Sequence, residues 1–278
     1  LVYKSLLEKD KKAYHVSIAS LFMNKKNTEE IVAYHYENSS KFKEASSYYS
    51  KAAIKYHEQF DLENALIYYS KALNTNQSKS QSINKLYIEL VQLYIYKSDF
   101  KSALEWIDRA ISIIDESAYI QDLKLLQIEI LRDTGELEKA FDVCIELEKT
   151  LQKTSRNYGK LLQLQATVMD MTGKAGVIEI CDKAYLVLLK SKDYESITET
   201  LSQAGIRHFI EGRVSEAIEY MENALKYVNQ TNNKALLAKV LNNLGILYSH
   251  FGERDKSHIY FKNNIELSQE LANQRNVA

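Results

Sequence analysis

Two histidines, several asparagines and two glycines lie close together in LNNLGILYSHFGERDKSHIYFKNNIEL, residues 241–267. Imidazole and amide groups at such spacing could bind a metal ion, transfer a proton or hold a substrate. His250 and His258 flank the turn at Gly252, but a metal needs at least a third ligand, and the local sequence offers none at a suitable spacing. We therefore interpret both histidines as surface or packing residues.

The other groups that could do chemistry are scattered along the chain. No H-E-x-x-H, G-x-S-x-G, G-x-G-x-x-G or Walker motif occurs. Carboxylates lie three or four residues from lysines, a spacing typical of solvated helix faces. Cys144 and Cys181 lack C-x-x-C spacing, so we expect reduced, buried thiols in a cytoplasmic protein. The sequence predicts no enzyme, no catalytic residue, no metal and no cofactor.

Composition points to helices. The 278 residues include no proline, 45% are apolar and 26% are charged, so the chain can form a core and has no residue that breaks helix interiors. A net charge of −1 gives no reason to expect nucleic acid or acidic membranes as partners. The 20 tyrosines could stack on bases, but without a basic groove we expect them to pack between helices.

Glycines reveal an internal repeat that would position these residues. Gly135, Gly173, Gly212 and Gly252 follow one another at intervals of 38, 39 and 40 residues. Each lies between two segments with helical apolar periodicity, where a tight turn favours a residue that tolerates a positive φ. The sequence therefore predicts a series of helical hairpins.

Small residues mark the same repeat inside the helices. They lie at positions 45, 65, 103, 140, 177, 217 and 257, and in most units a bulky residue follows after four positions. Spacings of four and seven keep such positions on one helix face. The interval of 20 between positions 45 and 65 predicts that the helix near 41–57 ends one unit and begins the next. Val177 is the weakest match, which predicts a local distortion there.

The stretch LGILY, 244–248, with Leu241 before it and Ser257 and Phe261 after it, resembles the tetratricopeptide signature W-x2-L-G-x2-Y followed by A-x3-F. The resemblance implies an all-α, right-handed superhelix of antiparallel helix pairs, with about six to seven repeats of 37–40 residues over 30–278. The first helix of each pair would line a groove. His208 occupies a position where tyrosine usually packs.

A narrower resemblance concerns the N-terminal region. YHVSIA, 14–19, and AYHY, 33–36, are similar to the junction that follows the ATPase module in large bacterial STAND or AAA-type signalling proteins. This implies a helical junction segment over 1–29 and a regulatory or sensor role inside a larger protein. Any nucleotide site would then lie outside this sequence, since no Walker motif is present.

We expect a non-catalytic scaffold that binds a protein, a peptide or another domain of the same chain. The alternative is a receptor for a short quorum-sensing type peptide that controls a transcription factor or phosphatase, although residues 1–30 are too few for the effector module of such receptors. Alignment of the repeats predicts these groove-facing residues: Tyr34, Gln92, Tyr96, Glu129, Arg132, Asp133, Phe209, Asn242, Asn243 and Ile246.

The last repeat predicts an exposed edge. Stacked repeats need polar caps, and no obvious capping helix follows the segment with Ile265 and Leu271. We expect that edge to be covered by further chain of a parent protein or by a second copy, which would make a homodimer.

Overall fold

A computed structural model describes residues 7–75 and 80–277, with side chains described up to residue 272. The described part consists of α-helices joined by turns and contains no strand. It divides into two compact units, Leu1–Ile130 and Leu131–Ala278. The helices of the first unit are α1 Glu8–Phe22, α2 Glu29–Asn38, α3 Phe42–Glu58, α4 Leu62–Thr75, α5 Gln81–Tyr96, α6 Phe100–Ile113 and most of α7 Ser117–Asp133. Those of the second unit are α8 Leu137–Glu148, α9 Arg156–Met171, α10 Val177–Ser191, α11 Tyr194–Ile210, α12 Val214–Val228, α13 Lys234–Phe251 and α14 Arg254–Val277.

The small positions of the repeat form the core. All seven are buried, including Val177 at 2% and Ser257 at 6% exposure. The bulky residues four positions later, such as Tyr49 at 2% and Met221 at 0%, are buried with them. One helix face therefore packs against the rest of each unit, as the spacing of four and seven predicts.

The turns within the hairpins end the first helix of each pair in one recurrent way. A residue with positive φ follows the helix, and the next N–H donates to a carbonyl five residues back, as Glu136 N does to Leu131 O at 2.8 Å. Gly135, Gly212 and Gly252 adopt this conformation without strain in the second unit. The first unit uses Ser40, Phe60 and Ser98 at the corresponding positions, although a side chain there costs about 1–2 kcal/mol.

Helix α3 belongs to two hairpins, as the interval of 20 residues predicts. It packs against both α2 and α4. Tyr49 on α3 donates to the Glu37 carboxylate on α2 at 2.7 Å, and Ser46 donates to the Ala72 carbonyl on α4 at 2.8 Å. Helix α1 packs on α2 through Ala19 in a shared apolar cluster. A separate junction segment over 1–29 stays a prediction.

The second unit shows the predicted close approach and distortion. A Cβ added to Gly245 would lie 2.6 Å from Phe261 Cε1, so the α14 ring fills the space that glycine leaves on α13. Between α9 and α10 the turn takes five residues, 172–176, with both Gly173 and Gly176 at positive φ. The short turn before Val214 takes three, 211–213. The weak match at Val177 thus coincides with an altered turn.

The buried titratable groups serve packing. His208 is 6% exposed and stacks at a tilt on Tyr220, with ring centroids 4.9 Å apart, as expected for a packed histidine. Burial raises the pKa of the Cys144 and Cys181 thiols to about 12, so both stay protonated at neutral pH. No helix in the described residues has both the length and the apolar content needed to span a membrane.

Candidate binding surfaces

A cleft of about 1350 Å³ opens in the first unit between α3 and α5, with α4 as its floor. We call it the α3–α5 cleft. Among the described residues of this unit, no hydrogen bond or ion pair joins α3 to α5. Its lining residues are Lys43, Ser46, Ser47, Ser50, Lys51, Ile54, His57, Glu58, Phe60, Leu62, Tyr69, Ser80, Ser82, Ile83, Lys85, Leu86, Glu89, Gln92, Leu93 and Tyr96.

The two walls of the cleft run in the same direction. The contact of Ser46 with Ala72 brings the start of α3 to the end of α4. Lys97, just after α5, pairs with Glu63 in the first turn of α4. Both walls are therefore antiparallel to the floor, and the C-terminal ends of α3 and α5 lie at the same end of the cleft.

The middle of the cleft is apolar above a buried tyrosine. Ile54 keeps 45% of its surface exposed on the α3 wall, opposite the buried Leu86 and Leu93 of α5. Tyr69 on the floor has its hydroxyl 3.4 Å from His57 Nδ1. Burial, together with the negative charges of Glu89 and Glu58, raises the pKa of Tyr69 to about 12. An apolar surface of this kind next to polar groups suits a ligand with both characters.

The first helices of the second unit present a different surface, which we call the α9–α11–α13 face. Three polar contacts at successive turns join α9 to α11. Gln163 Nε2 donates to Glu199 at 3.4 Å, Thr167 Oγ1 donates to Gln203 Oε1 at 3.0 Å, and Arg207 Nη1 donates to Asp170 Oδ1 at 3.3 Å. These contacts hold α9 and α11 together, so the described residues of the second unit leave no opening here that corresponds to the cleft between α3 and α5.

Glu199 lies in a partly enclosed part of the α9–α11–α13 face. It keeps solvent access, yet the surrounding protein desolvates the carboxyl and raises its pKa. The positive charges of Arg132, Lys239 and Lys160 act in the opposite direction. A carboxylate close to three cations makes this face polar and charged.

The structure brings only two of the predicted groove residues of the first unit together. Gln92 and Tyr96 lie one turn apart on the α5 wall of the cleft, with Tyr96 76% exposed. Tyr34 is on α2, 53% exposed, with its ring edge-on to His15 at 6.2 Å between centroids. Glu129 is half-buried on α7. Tyr34 and Glu129 are not among the residues that line the cleft.

The predicted groove residues of the second unit are spread over its surface. Arg132 Nε pairs with the neighbouring Asp133 at 2.8 Å. Phe209 packs edge-on against His250, with centroids 4.9 Å apart. The α13 members share a helix; Asn242 and Asn243 are half-buried there and Ile246 is 38% exposed. Their role in binding stays a prediction.

The prediction missed the whole α3 wall of the cleft. Gln92 and Ile246 each lie eleven residues before the small position of their repeat, and the same offset from Ala65 gives Ile54. Offsets of seven and fifteen give Glu58 and Ser50, which also line the cleft. The same offsets are therefore visible in the sequence, but α3 serves two hairpins, and the predicted groove residues include none from it.

Within the described residues, no group of three or more histidine, cysteine, aspartate or glutamate side chains could hold a metal ion.

No family model and no curated protein matches the chain. Solved structures do. A STAND protein with a tetratricopeptide repeat sensor from Pyrococcus horikoshii matches with a TM-score of 0.60 at 13% identity, over 96% of this chain and 42% of that one. The pilF protein of Pseudomonas aeruginosa matches with a TM-score of 0.58 at 16% identity, over 84% and 99%.

A kinesin light chain-like protein from Podosopora anserina with nearly identical TPR-like repeats gives a TM-score of 0.53 at 14% identity, over 68% of this chain and 96% of that one. The chain thus spans less than half of the STAND protein and nearly all of the other two. At these identities the likeness concerns the fold. The described part of the chain has the all-α fold of tetratricopeptide repeat domains.

Proposed function

We propose that this protein is a non-catalytic scaffold that binds a segment of another protein, or of another domain, in the α3–α5 cleft. The observation that supports the proposal is the cleft itself. Its volume of about 1350 Å³ exceeds the range of about 300–1000 Å³ that is usual for small-molecule pockets. A peptide or a helix face is the class of ligand that matches this size.

The rim of the cleft has the composition of a protein contact surface. Ile54, Phe60 and Tyr96 are 45%, 86% and 76% exposed, and all three border one opening. Aromatic and branched apolar anchors in a concave site are the residues that usually dominate binding energy. Lysines, serines and glutamates surround them as a polar rim.

We place the scaffold in a regulatory or sensor role within a larger cytoplasmic bacterial signalling protein. The likeness to a STAND protein with a tetratricopeptide sensor and the YHVSIA and AYHY stretches support this role. The alternative is a receptor for a free short peptide, which the same cleft could hold. A series of peptides truncated from both ends separates the two, because a peptide receptor needs a free terminus and a scaffold does not.

The test is a selection for peptides that bind the wild-type chain. A displayed library of random 12-residue peptides is selected, and the enriched peptides are synthesised and measured by fluorescence polarisation. Ile54→Glu places a charge in the apolar middle of the cleft. Ile31→Glu is the matched control, because Ile31 is 41% exposed on α2 and does not line the cleft.

We expect enriched peptides to bind Ile54→Glu at least about tenfold more weakly and Ile31→Glu with unchanged affinity, since a buried charge without a partner is costly. Thermal unfolding of both variants shows whether the fold is retained. Peptides that bind all three proteins equally, or a library that yields no binder, would refute the proposal.

A further inference from the structure

One end of the α3–α5 cleft is suited to a positive charge. Glu58 and Glu89 both line the cleft together with the floor tyrosine, Tyr69, and their charges help to raise the pKa of its hydroxyl. Glu58 is the last residue of α3, and Glu89 lies about two turns before the end of α5. The C-terminal ends of both helices lie at the Glu58 end of the cleft, and helix C-termini attract cations. Two carboxylates and two helix ends thus act in the same direction.

Two exposed aromatic rings border the same end. Phe60 follows α3 and Tyr96 ends α5, and they are 86% and 76% exposed. The face of an aromatic ring attracts a lysine or arginine head group, and the ring also covers its aliphatic stem. An arginine or lysine of a partner would therefore find both charge and apolar contact here.

Phe60 adopts a strained backbone to occupy its place. Its φ is +59°, and the equivalent turn residues Gly135 and Gly212 are glycines at φ +81° and +80°. A bulky residue in this conformation is unusual, and such strain concentrates at functional sites. Since the ring is almost fully exposed, packing within the chain does not account for its presence.

The cations near this end are engaged elsewhere or lie further along the cleft. Lys97 pairs with Glu63 on the floor helix, and Lys51 has its ammonium 4.5 Å from the Tyr48 ring centroid. Lys85 lies 3.9 Å from Glu89, a loose contact that a partner's cation could share. Lys43 is in the first turn of α3, at the opposite end.

We propose that the α3–α5 cleft takes an amphipathic protein segment with a lysine or arginine that lies between Glu58 and Glu89 and under Phe60, beside apolar side chains that contact Ile54. The inference rests on the proposed function, since it names the partner chemistry for the same cleft. The partner is a basic amphipathic segment of a protein, chosen over an acidic one because the carboxylates, helix ends and rings all favour a cation.

The test uses the peptides enriched from the random 12-residue library. We expect a lysine or arginine at one conserved distance from the apolar residues of these peptides. Glu58→Gln combined with Glu89→Gln should weaken their binding about tenfold and reduce its salt dependence. Glu105→Gln, an exposed glutamate on α6 that does not line the cleft, is the control and should leave affinity unchanged.

Phe60→Gly provides a second readout that a structural role would not give. Relief of the strained turn should raise the melting temperature by about 2–4 °C, while the lost ring weakens peptide binding several-fold. A variant that loses both stability and binding would show that Phe60 serves the fold, and the inference would then be wrong.

Failure of the inference is distinguishable from failure of the proposed function. Peptides that depend on Ile54 but contain no basic residue, and that bind the double glutamine variant normally, would overturn the inference and leave the scaffold function intact. A library that yields no peptide dependent on Ile54 would overturn both. Binding by a second copy of this chain instead of a peptide would appear as concentration-dependent sedimentation that Ile54→Glu abolishes, and it would also contradict the inference.

Discussion

The two units share one repeat register but differ where the first helices meet. In the first unit α3 and α5 stand apart and border an apolar cleft. In the second unit α9 and α11 are joined by contacts such as Thr167 to Gln203 at 3.0 Å. The buried small positions are alike in both units, so the core does not decide the difference. Residues on the opposite helix face decide whether a repeat closes on its neighbour or leaves a binding surface.

The units also differ in the residues at their turns and at the closest approach of neighbouring helices. The second unit uses glycine at most of its positive-φ turn positions, with Lys192 at φ +55° as an exception, and at the close approach of α13 to α14. The first unit has Ser40, Phe60 and Ser98 at its turns and Ala53, fully buried, where α13 has Gly245. Among the described residues, positive φ at a non-glycine residue is therefore more frequent in the first unit, and one such residue, Phe60, lines the cleft, as expected if the first unit is the binding unit.

The largest effect is expected for Gly245→Ala in the second unit. The added Cβ would lie 2.6–2.9 Å from three atoms of the Phe261 ring, so α14 or the ring must shift. We expect a loss of about 1–2 kcal/mol in the free energy of unfolding, after the gain in helix propensity that alanine brings. Urea denaturation followed by circular dichroism measures it.

The control for this variant adds Phe261→Leu. Leucine lacks the ring atoms that clash, so the double variant should recover part of the loss. If Gly245→Ala is as stable as wild type, the close packing of α13 on α14 is wrong.

Exchange of turn residues between the units should give a smaller effect of opposite signs. Ser98→Gly relieves the positive φ of +59° in the first unit, whereas Gly135→Ser introduces the same cost at φ +81° in the second. We expect a gain and a loss of about 0.5–1 kcal/mol, because the αL penalty exceeds the entropy that glycine loses. If thermal denaturation shows that both substitutions change stability in the same direction, the proposed difference in turn strain between the units is wrong.

His208 should make the free energy of unfolding depend on pH, with only a small effect near neutrality. Burial, with help from Arg213, lowers the pKa of His208 below the usual 6.5, although Glu216 opposes the shift. The unfolded chain then binds the proton more readily, so stability falls as pH drops below about 6.5 and levels off below the folded-state pKa. His208→Tyr should flatten this dependence, as denaturation midpoints between pH 7.5 and 5 would show. An unchanged slope would mean that other groups cause it.

Much of the fold follows from the sequence because the repeat is local. Small residues at fixed spacing, such as Ala103 and Ala217, must face a neighbouring helix, and glycines such as Gly212 must end helices. The turn residues of the first unit could not be predicted in this way, because residues such as Phe60 rarely adopt a positive φ.

The candidate site was less accessible from the sequence. Whether neighbouring first helices separate depends on contacts between residues about 36 positions apart in the sequence. The α3 face itself shows no unusual motif. Alignment of the repeats assigns Gln92 and Tyr96 to the groove. Ile54 and Glu58 lie on α3, which packs in two hairpins, so alignment with a single repeat does not show which of its faces stays open. The charge pattern around Tyr69 arises only when α3, α4 and α5 are brought together.

Hydrogen–deuterium exchange with a selected peptide tests the central claim most directly. Binding in the α3–α5 cleft should slow exchange in α3, Phe42–Glu58, and α5, Gln81–Tyr96, while leaving α9, α11 and α13 unchanged. Ile54→Glu should abolish the protection. Protection confined to α9, α11 and α13 would contradict the account, because it would place the partner on the face that the polar contacts close.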